Sequence, residues 1–236
     1  MDSRLSAVIL ARDEEGTIGP LVESVRALVH EVLVMDGHSR DRTAEISRSA
    51  GARVELDPGR GKGSAVRASL ALVTGEVVVF LDADGSHDPA DIPRLVAPIR
   101  EGRADLVVGS RFAGGSDELA VNVGQLIRTI GNISMNIAIN KRFGVELTDT
   151  LNGFRAIRRD VVLALPLREN RHTMEQEMVI QTIRLGYRVV NVPAHEYVRR
   201  FGRSHINIWR EWPIFVWCLF RNLIQPRRRR PSSDAG

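Results

Sequence analysis

Two aspartates, Asp82 and Asp84, stand one residue apart where the apolar run VVVFL (77–81) ends. Closing a buried run on two neighbouring negative charges is unfavourable unless a cation belongs there. Magnesium and manganese prefer oxygen ligands, and two carboxylates from one strand end supply both the oxygens and the charge. A cation held in that way would hold a diphosphate in turn. The plainer account makes both aspartates turn residues, with Asp88 capping a helix that starts at Pro89. The pair sits at the tip of the most apolar stretch in the first half of the chain, and that context favours the cation.

Two further stretches carry candidate chemistry. In DGHSRDRT (36–43), Ser39 or Asp41 can cap a following helix and Gly37 can make a turn. Asp36 is left over, placed to accept hydrogen bonds from a nucleotide base or ribose. In DPGRGKGSAVRASLALV (57–73), glycines 59, 61 and 63 surround Lys62 and open a helix. Backbone amides at a helix start favour anions. The spacing is not a Walker A loop, because Gly63 follows Lys62 where Ser or Thr is required. Nor is it a dinucleotide fingerprint, which belongs after the first strand, where this chain has RDEEGTIG. A plain glycine-rich connection is the alternative.

The elements that must position these residues follow a rhythm. Short runs rich in Val, Ile and Leu at 5–11, 31–37, 52–57, 76–84 and 104–111 alternate with helical spacing at about 16–28, 41–50, 62–73 and 89–101. This alternation predicts an α/β fold with a mainly parallel, Rossmann-like sheet flanked by helices, binding ligand beyond the carboxyl ends of its strands. Near-continuous apolar runs fit strands covered on both faces. The second half predicts an amphipathic helix over 124–139, a turn, strand and helix start over 148–162, a helix over 174–186 closed by Gly186, and a strand over 187–198. With 236 residues, 43% hydrophobic and 26% charged, the chain can bury one real core. We expect one domain over 1–205 and an amphipathic, Arg-rich tail over 206–236.

Composition excludes some classes. A single cysteine, Cys218, rules out internal disulfides and multi-cysteine zinc sites. The N-terminus does not read as a signal peptide, and a cytoplasmic location is expected. The net charge of +4 is uneven: from Arg199 onward nine arginines face two acidic residues, so the remaining body is net −3. A body without a basic face argues against nucleic acid as a partner.

The motifs DGHSRDRT, GKGSAVRASL, FLDADGSHDP, VVGSRF, TDTLNGFR and RRFGRSHIN, in that order over roughly residues 5–210, resemble family 2 glycosyltransferases of the GT-A fold. More narrowly they resemble the dolichol-phosphate mannosyltransferase branch, the polyprenyl-phosphate glycosyltransferases. The resemblance implies an inverting, metal-assisted transfer of a hexose from a GDP-sugar or UDP-sugar to a polyprenyl phosphate, with Mg2+ or Mn2+ as the metal. By matched position, Asp82 and Asp84 become metal and diphosphate ligands. Ala11, Glu15, Asp36, Lys62 and Ala83 fall in the nucleotide pocket, and Arg111 contacts the diphosphate or sugar. Asn152, Gly153, Phe154 and Arg155 line the sugar and acceptor side, and Glu175 and Glu177 face the donor sugar. Arg199, Arg200, Arg203 and Ser204 form a basic segment that closes over the phosphates. Two departures stand out: Ser86 replaces a glutamine seen in some relatives as a third metal ligand, and His205 replaces a lysine, leaving that charge dependent on pH.

A phosphate acceptor has a second pKa near ~6, so it is largely an oxyanion already and needs cationic positioning more than a base. Were the acceptor a hydroxyl, Asp149 is the candidate base. The tail segment INIWREWPIFVWCLFRNLIQPRRRR (206–230) has an apolar run, Ile214–Phe220, far short of the ~20 residues needed to cross a bilayer. Its aromatics and arginines predict a helix lying in the membrane interface, at the inner face of the membrane. Four consecutive arginines would add about 1 kcal/mol each near an anionic leaflet. The alternatives are packing on the domain itself or docking on an integral membrane partner. Two other functions compete: a GT-A enzyme with a soluble acceptor and a dispensable tail, and a catalytically inert sugar-nucleotide scaffold.

Overall fold

The computed structural model describes residues 4–117, 123–199 and 208–226. Seven strands form one sheet in the order β3-β2-β1-β4-β6-β5-β7. They are β1 (Leu5–Ala11), β2 (Glu31–Asp36), β3 (Arg53–Leu56), β4 (Val77–Asp82), β5 (Leu106–Ser110), β6 (Arg155–Arg158) and β7 (Val189–Pro193). The helices are α1 (Ile18–Arg26), α2 (Thr43–Ser49), α3 (Lys62–Ser69), α4 (Ile92–Arg100), α5 (Arg111–Gly114), α6 (Val123–Phe143), α7 (Arg159–Ala164), α8 (Thr173–Arg184) and α9 (Ile208–Leu223). All strands run parallel except β6, which is antiparallel to both β4 and β5. The expected strand over 187–198 is shorter, because beyond Pro193 the chain leaves the sheet and Glu196 bridges to His87 and Ser116.

The continuous apolar runs are explained by burial on both faces. In β4, Val77, Val79 and Leu81 face a core shared with α1 and α4, while Val78 and Phe80 face one shared with α3, α7 and α8. Each such side chain is worth roughly 1.5–3 kcal/mol when fully buried. The chain winds outward from β1 through β2 to β3, then returns to place β4 on the other side of β1. The reversal of strand order opens a crevice between the carboxyl ends of β1 and β4, where open α/β sheets bind ligands. Leu10 is paired with Asp82 in that register, so the aspartate pair stands at the lip of the crevice.

At the opposite end of the sheet Glu31 ties three strands together. Its carboxylate accepts from Ser6 Oγ, Thr74 N (2.6 Å) and Gly75 N (3.2 Å). Burial alone would raise its pKa; these hydrogen bonds outweigh burial and lower it.

Helix α6 buries Met135, Ile139 and Phe143 on its inner side together with a row of asparagines. Asn136 donates to Thr148 O (2.6 Å) and accepts from Thr150 Oγ1 (2.7 Å), and Asn140 exchanges hydrogen bonds with Leu147 O (2.8 Å) and N (2.9 Å). Asn132, one turn earlier, donates to Asp149 Oδ1 (3.3 Å). Meanwhile Leu126, Ile130, Ile133 and Ile137 of the same helix are exposed. The tail helix α9 docks on the domain rather than standing apart from it. Cys218 and Asn222 are buried, and Asn222 Oδ1 accepts from Gln181 of α8 (2.7 Å). Arg221 pairs with Glu169 (2.8 Å) and Glu177 (3.2 Å). Its other side exposes Val216, Trp217 and Phe220, and Ile224 just after the helix is exposed too. No described helix is long and apolar enough to cross a membrane.

Replacing Glu31 by Gln is expected to destabilise the fold by about 1–3 kcal/mol, read by urea unfolding at pH 7. Because the folded pKa is the lower one, this contribution is present above the ordinary carboxylate value of 4.5 and fades as pH falls below it, so the variant and the wild type converge in acid. Burial, with Glu169 and Glu177 adding to it, pushes the Cys218 thiol up to about 12. An aromatic disulfide reagent at pH 8 should therefore label Cys218 only on unfolding. The Arg221→Ala variant, which loosens α9, should label measurably faster.

Candidate active site

The crevice widens into a cavity of about 750 Å³ that reaches from the β1–β2 tips to α6 and α9. Ala11, Lys62, Asp82, Ala83, Asp84, Ser86, Arg111, Asn152, Glu175 and Arg199, all expected from the sequence, line it together. Lys62 lies at its centre, its ammonium 2.6 Å from Asp82 Oδ1 and 2.8 Å from Glu175 Oε1. Burial opposes the charge on both sides of the pair. The attraction wins, raising the pKa of Lys62 and lowering that of Asp82 to about 2.

Local sequence explains how these groups meet. A Cβ at Gly63 would collide with the carbonyl of Glu169 and come within 2.9 Å of Met174 Cβ, so the glycine lets α3 press against the start of α8. That contact brings Lys62 to Glu175. A Cβ at Gly153 would lie 2.5 Å from Asp82 Oδ2 and 3.0 Å from Lys62 Nζ, so this glycine leaves the space that Asp82 faces open. Ser86 donates its hydroxyl (2.6 Å) and backbone N–H (3.0 Å) to Asp84 Oδ1, fixing the second aspartate. Its hydroxyl thus supports Asp84. Asp88 accepts from Ala90 N (2.9 Å) and caps the short 3-10 turn Pro89–Asp91, as its sequence context suggests.

The donor set suits a hard divalent cation. Asp82 Oδ2 and Asp84 Oδ2 both face the cavity side, and among the described residues no cluster of three or more His, Cys, Asp or Glu forms a complete cage. Two carboxylates plus phosphate oxygens from a ligand are what magnesium ordinarily accepts.

Several residues expected here are placed elsewhere. Glu15 is exposed and accepts from Arg42 N (3.1 Å), whereas its neighbour Glu14 lines the cavity. Burial, opposed by Arg199 and reinforced by Asp84, pushes Glu14 up to about 7. Asp36 is buried and turned into its own loop, accepting from Ser39 Oγ (2.5 Å), and is not among the lining residues of the cavity; Gly37, His38 and Asp57 line that end. Glu177 faces away from the donor side, because residues two apart on a helix point about 200° apart. It is buried, accepts from Arg168 N and Glu169 N (2.8 Å each), and burial raises its pKa.

Asp149 is fully buried and gripped by Arg111 (2.7 and 3.1 Å), with its pKa lowered, because the guanidinium outweighs burial. It holds Arg111 and is not a free base. Arg155 is fully buried, donating to the carbonyls of Asn152 and Glu175, and it supports the residues that line the cavity without being among them. Phe154 is buried too and stacks on His87 at 5.1 Å. Arg200, Arg203, Ser204 and His205 lie outside the described residues.

The structure also adds Arg128, Asn132, Met135, Trp212 and Phe215, which form the cavity wall contributed by α6 and α9. The Trp212 ring lies directly on Gly131, where any Cβ would overlap it. Lys62, Arg111 and Arg199 of the wall are each paired with carboxylates, while Arg128 has no carboxylate partner among the described residues. A lone Arg in an amphipathic stretch carries no motif, and Trp212 reads from sequence only as membrane-facing, so neither was legible beforehand.

Comparison with known proteins bears on what this cavity does. A glycosyltransferase from Haloferax volcanii, AglJ, is 33% identical over 192 residues, 80% of this chain, and the match spans 62% of that relative's length. The undecaprenyl-phosphate mannosyltransferase of Micrococcus luteus is 33% identical over 207 residues, 81% of each chain. The crystal structure of glucosyl-3-phosphoglycerate synthase from Mycobacterium tuberculosis in complex with Mg2+ and uridine-diphosphate superposes with a TM-score of 0.74 at 26% identity, covering 100% of this chain and 83% of that one. The model of glycosyl transferase family 2 matches residues 6–165, and the chain belongs to that family.

Proposed function

We propose that this glycosyltransferase moves a hexose from a UDP-sugar to the phosphate of a polyprenyl phosphate at the membrane surface. The observation that carries the acceptor is the wall made by α6 and α9. There Arg128, without a carboxylate partner among the described residues, stands beside Met135, Trp212 and Phe215, while the outer faces of the same two helices expose Ile130, Ile133, Ile137, Trp217 and Phe220. A phosphate on an apolar chain matches a guanidinium set among apolar side chains, and a helix pair with apolar outer faces suits a lipid interface. The four arginines at 227–230, three residues beyond α9 in the sequence, suit anionic headgroups. The metal and the uracil base are supported by the similar solved structure with Mg2+ and uridine-diphosphate.

The residues divide the work. Asp82 and Asp84 hold a divalent cation, which supplies electrostatic stabilisation of the charge developing on the leaving diphosphate. Lys62 keeps Asp82 ionised and Glu175 oriented. Gly37, His38 and Asp57 border the base. Arg128 and Arg111 orient the acceptor phosphate, whose oxygen attacks the anomeric carbon as the bond to the diphosphate breaks, inverting that carbon. With a second pKa near ~6 the phosphate arrives largely ionised, consistent with a site in which Asp149 is not free to act as a base.

A second reading has one specific support. The synthase with the similar fold is named for a soluble phosphorylated acceptor, phosphoglycerate. Radiolabelled transfer distinguishes the two: with UDP-sugars and Mn2+, label should enter undecaprenyl phosphate in anionic vesicles, and transfer to 3-phosphoglycerate alone would favour the soluble acceptor. Arg128→Gln should raise KM for the lipid phosphate about tenfold and leave KM for the donor unchanged. Asp82→Asn should lower kcat/KM by about 10²–10³.

A further inference from the structure

Both aspartates of the pair already have cationic partners within the protein, and the two are held differently. Asp82 takes Lys62, which is anchored at the start of α3, only 16% exposed, and shared with Glu175. Asp84 takes Arg199, which follows β7 without belonging to a helix or strand. Arg199 Nη2 lies 2.8 Å from Asp84 Oδ2, its Nη1 reaches Glu14 Oε1 only at 3.4 Å, and its side chain is 29% exposed. Asp84 Oδ1 is occupied by Ser86. Thus the Asp84 oxygen open to a metal is the one the guanidinium covers.

We propose that Arg199 is a built-in counter-cation that competes with the divalent metal for Asp84. Metal arriving with a diphosphate displaces it, and the released guanidinium turns to the diphosphate oxygens. This rests on the reading that a divalent cation binds at Asp82 and Asp84. Two positive groups cannot share one carboxylate oxygen at contact distance without strong repulsion. Lys62 does not yield, because it is more buried and held by two carboxylates. Arg199 yields, because it is more exposed and its second contact is long. Its displacement is repaid only when a diphosphate supplies new acceptors, so metal and nucleotide bind better together than either alone. The resting site keeps its carboxylates neutralised and discriminates against bare metal.

The test is titration of Mn2+ alone into the whole chain, following the free aqueous Mn2+ spectrum by electron paramagnetic resonance, for wild type, Arg199→Gln, Arg199→Lys, Asp84→Asn and the Arg199→Gln/Asp84→Asn double variant. Matching melting temperatures establish that each is folded. Arg199→Gln should bind bare Mn2+ about five- to tenfold more tightly than wild type, yet bind UDP more weakly at saturating Mn2+. Arg199→Lys should restore the weak affinity for bare metal, and the gain should vanish in the double variant. A residue that merely held phosphate or shaped the loop would not improve metal binding when removed. Unchanged or weaker Mn2+ binding by Arg199→Gln, in a protein whose wild type binds UDP in a Mn2+-dependent way, overturns the exchange alone. Loss of Mn2+ binding in every variant, even with UDP, overturns the metal reading and the exchange with it.

Discussion

The ammonium of Lys62 between Asp82 and Glu175 is the interaction on which the rest of the site depends. Carboxylates brought together at a crevice repel one another and lose part of their hydration, and one cation between them turns that liability into a rigid frame. The glycines at 63 and 153 follow from it, since a side chain at either position would block the approach that makes the frame. So does Arg155, buried beneath and bound to the carbonyls of Asn152 and Glu175, which ties the floor of the cavity to α8. Its pKa is lowered, because burial exceeds the attraction of Glu175 and the other carboxylates nearby.

The second constraint is the additional, outward apolar stripe of α6. Helices on soluble domains turn their apolar stripe inward. Here Met135, Ile139 and Phe143 do so, three asparagines spaced one turn apart beside them hold the 147–150 segment by hydrogen bonds, and Leu126, Ile130, Ile133 and Ile137 look outward. The first of these, Asn132, also touches Asp149, which grips Arg111. One helix therefore connects an outward apolar surface with the orientation of a cation in the cavity.

Much of the sheet was legible in the sequence because strands buried on both faces write themselves as apolar runs, and glycine and aspartate punctuate their ends. The aspartate pair and Lys62 were legible for the same reason: charge beside apolar strands is costly and so informative. What sequence could not show was which of two adjacent carboxylates faces inward. Glu14 and Glu15 differ by one step of a turn, and Glu175 and Glu177 by two positions on α8, yet in each case one lines the cavity and the other does not. Asp149 and Arg155 carry motif-like neighbours, but their roles became clear only from burial and partners. The amphipathic tail was legible as amphipathic; its docking through Cys218, Arg221 and Asn222 depends on α8, some 40 residues away in sequence.

The placement of β6 has a consequence for how the chain is made. β4 and β5 follow one another in sequence but do not pair; β6 is wedged between them, antiparallel to both. A chain emerging from the ribosome therefore completes β1 through β4 as one sheet with β5 apart from it, and the facing edges of β4 and β5 stay unpaired until β6 is available. Exposed edges of this kind invite pairing with other chains, and non-local closure of this sort slows folding. The Asn152–Gly153 turn enters the crevice only with β6, and Glu175 of α8 and the pairing of β7 with β5 come later still, so the sheet and the active site are both completed late during synthesis.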